Sequence, residues 1–320
     1  MMKYLCAQPA TKYYAWQIDV MLYSFKEQGV ALDNCHIVCA KHGDVDGHFN
    51  VMINKYPGVT FAFYEDTRLD RRYISSIRPH IIQKHYEAHP TLFTDSVFYH
   101  DCDIALVKPL AEEKLSRDDV CYVSDTISYI GYDYILSKGR DVLDKMLSIM
   151  AIDEETVKKN QWHSGGAQYV IKNVDKYYWM DVERDSNRLF AEVTELNMQK
   201  KASDPTHHEL QIWCSDMWAV LWNLWKRGKH TMVVPEMDFT WSTSAITTWG
   251  QHAIYHNAGV VGDAKDRQFF KAEFMEEFPA LDREYETNTC GHKYYEIVKK
   301  ALTGTKHLIE VYDHENTKIV

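Results

Sequence analysis

The sequence predicts an α/β fold with a mainly parallel central sheet flanked by helices. Three observations carry that expectation. Short β-forming runs alternate with stretches of helical period through the first third of the chain. Apolar residues make up 45% of 320 positions, enough to bury the core of one sizeable α/β domain. The β-forming run Val97-Phe98-Tyr99 leads into Asp101-Cys102-Asp103 and turns apolar again at Ile104-Ala105-Leu106, the pattern of a buried strand that ends in a polar turn.

The elements follow in order. A first strand covers 3–7 (Lys3-Tyr4-Leu5-Cys6-Ala7) and breaks at Gln8-Pro9-Ala10. Over 13–28, Trp16, Val20, Tyr23 and Phe25 recur at helical spacing, and Gly29 closes the helix. Cys35-His36-Ile37-Val38-Cys39-Ala40 makes a second strand and residues 49–56 a weakly helical segment; after the Pro57-Gly58 turn, Val59-Thr60-Phe61-Ala62-Phe63-Tyr64 makes a third strand. Residues 73–88 are helical in pattern despite Pro79 and lead to the strand that ends at Asp101. Tyr122-Val123-Ser124-Asp125 reads as a strand or edge segment, 138–150 and 153–160 as helices, and His163-Ser164-Gly165-Gly166 as a small-residue turn feeding a strand that ends at Ile171. A helix over about 211–227 carries Trp213, Trp218, Trp222 and Trp225 and ends at Gly228. Ile254-Tyr255-His256 is a short strand running into Asn257-Ala258-Gly259, and from about 265 the tail reads as helices packed on the surface.

Composition narrows the function. With 36 basic and 46 acidic residues the formal charge is −10, which disfavours a surface for nucleic-acid backbone or anionic membrane. The seven cysteines (Cys6, Cys35, Cys39, Cys102, Cys121, Cys214, Cys290) form no Cys-X-X-Cys pair, and several sit in apolar runs, as buried thiols do in a reducing compartment. No basic and then apolar leader opens the sequence and no apolar run approaches membrane-span length, so a soluble cytoplasmic protein is expected.

Ligands of mainly parallel sheets bind beyond the carboxyl ends of the strands, where Gln8, Glu65, Asp66 and Asp101 fall. Asp101 and Asp103 at a strand end share one side of the pleat, with Cys102 turned away. That arrangement suits one hard divalent cation completed by water and diphosphate oxygens, although two acids making local caps in a turn would read the same. Cys6-Ala7-Gln8-Pro9-Ala10-Thr11 contains no glycine and so no dinucleotide phosphate cradle, which argues against NAD or FAD. His207-His208-Glu209 is a poor zinc site because adjacent residues point apart. Gly165 and Gly166 permit close approach of a ligand or of a neighbouring strand. Trp218, Trp222 and Trp225 share a helical face and read as core. Asp216 lies on the flank of the face made by Trp213, Met217, Val220 and Leu224; it is either a capping acid or one aimed into a cleft, where burial would demand a partner such as an acceptor hydroxyl, His163, Gln168 or water.

Four pieces in this order, Tyr99-His100-Asp101-Cys102-Asp103, His163-Ser164-Gly165-Gly166, Asp216-Met217-Trp218-Ala219-Val220-Leu221-Trp222-Asn223 and His256-Asn257-Ala258-Gly259, resemble the nucleotide-sugar glycosyltransferases of the GT-A fold over roughly residues 3–260. Ile77-Arg78-Pro79-His80 resembles the plant peptide arabinosyl- and galactosyltransferases of that fold, and phage and bacterial relatives are similar in kind. Two departures bear on donor sugar and stereochemistry: His163 replaces the usual Asn, and the last motif lacks the Lys-Pro-Trp of the glycogenin-like branch.

The resemblance implies a Rossmann-like GT-A domain over 1–262, with a donor half of about 1–110 and an acceptor half of about 111–262, and a C-terminal helical extension over 263–320. It implies transfer of a hexose or pentose from a nucleoside-diphosphate sugar, UDP-linked, to a hydroxyl of a glycan, protein or other acceptor. Mn²⁺ or Mg²⁺ is implied as Lewis acid and template. Asp103 would bind the ion, Asp101 the ion or the donor ribose, and His256 would close the site, its imidazole favouring Mn²⁺. Arg78 would contact the diphosphate, Gln8 the base, and Gly165 and Gly166 the donor. Asp216 would serve as general base or orienting acceptor, with His163 and Gln168 beside it. A glycoside hydrolase would need carboxylates about 5–10 Å apart, which Asp101 and Asp103 are too close in sequence to supply. A nucleotidyltransferase would bring a glycine-rich, lysine-bearing first loop, and a carbohydrate-binding module would leave the two acids without a task.

Overall fold

The structure is a computed structural model that describes residues 1–43, 45 and 47–317. Strand β1 (Met2–Pro9) runs on through the break expected at Gln8, with Pro9 at its last position, where a missing donor costs least. Helix α1 (Lys12–Glu27) stops before a left-handed Gly29 with φ 80°. Strand β2 (Cys35–Lys41), helix α2 (Gly47–Lys55) and strand β3 (Thr60–Glu65) follow. Helix α3 (Ile77–Ala88) holds Pro79 in its first turn, where no intrahelical donor is needed. Next come β4 (Ser96–His100), β5 (Ile104–Leu106), α4 (Glu112–Ser116) and β6 (Cys121–Asp125). Helices α5 (Ile127–Ile130), α6 (Tyr132–Ser137), α7 (Arg140–Met150) and α8 (Glu154–Lys159) are short; Asp153 caps α8 by accepting from the Thr156 N–H. Strand β7 (Gly165–Lys172), helices α9 (Lys176–Ser203) and α10 (Ser215–Lys226), strands β8 (Thr231–Val233), β9 (Phe239–Trp241) and β10 (Ile254–His256), and helix α11 (Cys290–Thr317) complete the chain. Among the described residues no helix is long and apolar enough to cross a membrane.

The chain divides into two compact units, one made of Met1–Lys3, Asp66–His100 and Glu112–Met237, the other of Tyr4–Glu65, Asp101–Ala111 and the residues from Asp238 onward. In the first unit the strands run β4-β7-β6-β8. Strands β6 and β8 are parallel, as expected, but β7 is antiparallel to both of its neighbours. Trp218 and Trp222 of α10 are fully buried, and Trp218 Nε1 donates to the Ile130 carbonyl at 2.9 Å, so these tryptophans are core. Sequence reading did not identify α9. Its buried positions (Tyr178, Trp179, Val182, Asp185, Ser186, Leu189, Val193, Asn197) keep helical spacing, but three of them are polar, and they interrupt the apolar stripe.

In the second unit β3-β2-β1 are parallel throughout, with Leu5 opposite His36 and Cys39 opposite Phe63. A small sheet, β5-β10-β9, sets β10 antiparallel to β5 and parallel to β9. The tail is not a set of surface helices. Tyr294, Tyr295, Val298, Ala301 and Leu302 of α11, spaced by one to four residues, enter a core with Trp16, Val20, Tyr255, Phe269 and Phe274. That face also closes over a buried carboxylate: Asp19 accepts from Lys55 Nζ (2.7 Å), Tyr56 OH (2.6 Å) and the Thr305 hydroxyl, with His48 Nε2 at 3.6 Å. Burial alone would raise the Asp19 carboxyl, but His48, Lys55 and Thr305 hold it below the usual range.

Because Asp19 is depressed when folded, its stabilisation is complete above the unfolded carboxylate pKa of about 3.9 and falls away only as pH drops below that. Asp19→Ala leaves Lys55 without its buried carboxylate and is expected to lower stability by about 3–5 kcal/mol in urea unfolding at pH 7. The difference from wild type should shrink as the pH is taken below about 4.

Candidate active site

The second unit carries the acidic turn. Asp101-Cys102-Asp103 forms a turn and not a strand end, so it is turn geometry, not pleat alternation, that buries Cys102 and groups the two acids. Strand β5 begins one residue later and pairs with β10 in a register that sets His256 opposite Ile104. The Asn257 N–H extends that pairing by donating to the Asp103 carbonyl at 2.8 Å. His256 is held by a parallel ring contact with Trp241, 5.9 Å between centroids at 11°, and a tilted one with Phe239 at 5.3 Å. One ligand atom each from Asp101, Asp103 and His256 lies within 4.8 Å of the others. Two hard carboxylate oxygens and an imidazole nitrogen at that separation fit Mn²⁺ or Mg²⁺, with coordination positions left for water or phosphate.

Sequence reading missed one member. Lys271, in a 3₁₀ turn over Lys271–Glu273, donates its ammonium to Asp103 Oδ2, while His256 Nε2 lies 3.4 Å from Oδ1. No motif spacing ties residue 271 to 103; only the fold joins them. Burial would raise the Asp103 carboxyl, but Lys271 and His256 hold it well below the carboxylate range. Burial would likewise lower the Lys271 ammonium, and Asp103 pushes it up instead. Gln8, at the end of β1, is 5% exposed.

The first unit carries the second constellation. Asp216 opens α10 and is 7% exposed, so it does not face bulk water. The Tyr73 hydroxyl lies 2.5 Å from Asp216 Oδ1 and 2.8 Å from the Trp213 carbonyl and accepts from the Asp216 N–H at 3.0 Å; Arg78 Nη2 is 3.1 Å from Asp216 Oδ2. Tyr73 and Arg78, neither expected beside Asp216, are thus partners of it, Arg78 as an ion pair. Burial, reinforced by Asp216, pushes the Tyr73 phenol far up, so it remains a donor. Gln168 accepts from Ser124 Oγ at 2.8 Å, and the His163 carbonyl accepts from Thr231 at 2.9 Å.

At Gly165 an added Cβ would meet the Ser124 carbonyl at 2.3 Å and Val123 Cγ2 at 2.4 Å, both on the neighbouring strand β6. At Gly166 the Cβ would meet Tyr169 OH at 2.5 Å and Met217 at 2.7 Å, again protein atoms. Trp213 precedes the helix in a 3₁₀ turn and is 60% exposed, so it does not share the buried face of α10, a correction to the expected phase.

Tyr73→Phe removes the hydroxyl that lies against Asp216 Oδ1 and the Trp213 carbonyl and leaves the Asp216 N–H without that acceptor. A loss of about 1–3 kcal/mol in urea unfolding is expected, with the fold retained by circular dichroism.

No protein-family model matches the sequence, and no curated protein matches it. Solved structures do. The apo structure of the bifunctional glycosyltransferase WbbM aligns at 11% identity and TM-score 0.51, covering 97% of this chain and 51% of that one, so this chain spans about half the WbbM chain. The galactosyltransferase LgtC, in complex with donor and acceptor sugar analogues, aligns at 11% identity and TM-score 0.44 over 94% of this chain and 96% of its own. Mouse xyloside xylosyltransferase 1 aligns at 9% and TM-score 0.36 over 80% and 98%. Only the first likeness is strong enough to bear on architecture, and at such identity it speaks to fold alone. With the alternating β and α elements already described, it shows that this chain has a glycosyltransferase fold of the GT-A type.

Proposed function

We propose that the chain is a metal-dependent glycosyltransferase that moves a sugar from a nucleoside-diphosphate sugar, UDP-linked, to an acceptor hydroxyl of a glycan, protein or other molecule. The observation that carries the reading is the convergence of Asp101, Asp103 and His256 from a turn and a distant strand on this fold. A turn acid that served only as a local cap would need neither the second carboxylate nor the imidazole from β10. Bound there, Mn²⁺ or Mg²⁺ supplies Lewis-acid neutralisation of charge on the leaving diphosphate. Asp101 and Asp103 hold the ion through oxygen, and His256 through nitrogen, which favours Mn²⁺. Gln8, at a strand end, is assigned the base.

Asp216 is assigned to the acceptor side. A carboxylate that already accepts from Tyr73 and pairs with Arg78 is charged and fixed in direction, which suits orienting an acceptor hydroxyl better than removing its proton. The absence of any disulfide among the seven cysteines, all buried, supports a reducing, cytoplasmic setting.

The test is a panel of UDP-, GDP-, CMP- and dTDP-sugars, with and without Mn²⁺, read by thermal shift and by release of free nucleotide. UDP-sugars should raise the melting temperature much more with metal than without it, and Asp103→Ala should abolish that metal-dependent gain at unchanged circular dichroism. No shift with any nucleotide sugar would sink the reading. Asp216→Asn should lower turnover about 10²-fold at unchanged nucleotide affinity and without moving the pH profile. A flattened acidic limb would make it the base instead.

A further inference from the structure

We infer that Lys271 is a resident cation of the donor site that makes capture of the divalent ion depend on the nucleotide, an inference resting on the donor reading above. Asp103 is divided between two neighbours: Oδ1 faces His256 Nε2 at 3.4 Å, and Oδ2 takes the Lys271 ammonium. This leaves a single oxygen of Asp103 for an ion and sets its direction, as a hydrogen-bonded partner does for a ligating carboxylate. It also changes the charge an arriving ion meets. Asp101 and Asp103 alone present two negative charges; with Lys271 among them the formal sum is one.

The ammonium is not a loose surface group. Its turn is pinned on both sides by Phe269 and Phe274, 1% and 4% exposed in the core of the unit. The Lys271 side chain is nevertheless 25% exposed against 8% for that of Asp103, so the lysine is the more solvent-accessible partner of the pair. A divalent ion entering alone therefore meets a like charge beside its ligand, in surroundings that screen poorly. A bound diphosphate draws the ammonium off Asp103 Oδ2 onto its own oxygens, so the ion meets that repulsion only when the nucleotide is absent. Ion and nucleotide must then strengthen each other's binding by the same factor, and Lys271 supplies part of that factor. Were Lys271 only a counter-ion that neutralises Asp103 to pin the 271–273 turn, its removal would weaken Mn²⁺ binding through a disordered Asp103 or leave it unchanged.

Calorimetric titration separates these. Mn²⁺ alone, UDP alone in chelator, and UDP at saturating Mn²⁺ are titrated into wild type, Lys271→Gln, Lys271→Arg and Asp103→Asn, each checked for folding by circular dichroism. Lys271→Gln should bind Mn²⁺ alone about tenfold more tightly and bind UDP alone more weakly, so that the Mn²⁺–UDP coupling falls by about tenfold or more. Lys271→Arg, which keeps the charge, should stay near wild type, and Asp103→Asn should lose the Mn²⁺ isotherm. Binding of Mn²⁺ to Lys271→Gln that is no tighter than to wild type, an unchanged coupling, or an Mn²⁺ isotherm that survives Asp103→Asn each overturns the inference. UDP binding to wild type with no change in Lys271→Gln condemns the lysine's role alone, whereas failure of UDP to bind any variant condemns the donor reading itself.

Discussion

A carboxylate withdrawn almost wholly from water must be compensated on both oxygens, and Asp103 meets that demand with an imidazole on one side and an ammonium on the other. Much of the second unit is arranged to deliver those partners. The β5–β10 register brings His256 level with the residue after Asp103, Trp241 and Phe239 hold its ring, and two buried phenylalanines hold the turn that carries Lys271. The same unit solves the same problem at Asp19, where Lys55, Tyr56 and Thr305 converge and so tie α11 to α1 and α2. One buried acid serves as a structural junction. The other, beside a second carboxylate and an imidazole, has the composition of a metal site.

The first unit treats Asp216 in a comparable way but with a different outcome. Tyr73 and Arg78 satisfy it from the segment that leads into and begins α3, and Tyr73 also bridges to the Trp213 carbonyl at the entrance to α10. An acid fixed by a phenol and a guanidinium keeps its charge and its direction. A group that is prearranged in this way can orient a neighbour without reorganising. The tight contacts around Gly165 and Gly166 belong to the same frame: the missing side chains let β7 lie close against β6 and against Met217.

Strands, helices and the acidic turn were legible in the sequence because each depends on neighbours along the chain. Apolar alternation, helical spacing and glycine stops located β1 to β4, α1 to α3 and α10 to within a few residues. The Asp-X-Asp turn and His256 were singled out through the resemblance to GT-A glycosyltransferases, since two acids a residue apart would by themselves read equally as local caps. Helix α9 was hidden because Asp185, Ser186 and Asn197 occupy inward positions that only tertiary partners make affordable, as when Asn223 donates to Asp185 at 3.0 Å. The tail was misread as surface because its apolar residues declare a face but not what covers it.

What the sequence by itself determined was the alternation of elements, the position of the acidic turn and the burial of Trp218, Trp222 and Trp225 in α10. What only the tertiary structure decided was partnership. Lys271 stands 168 residues from Asp103, and Tyr73 stands 143 from Asp216. Periodicity and local turn chemistry report on neighbours a few positions away, whereas a buried charge takes its counter-ion from whatever segment the packing brings within hydrogen-bonding reach.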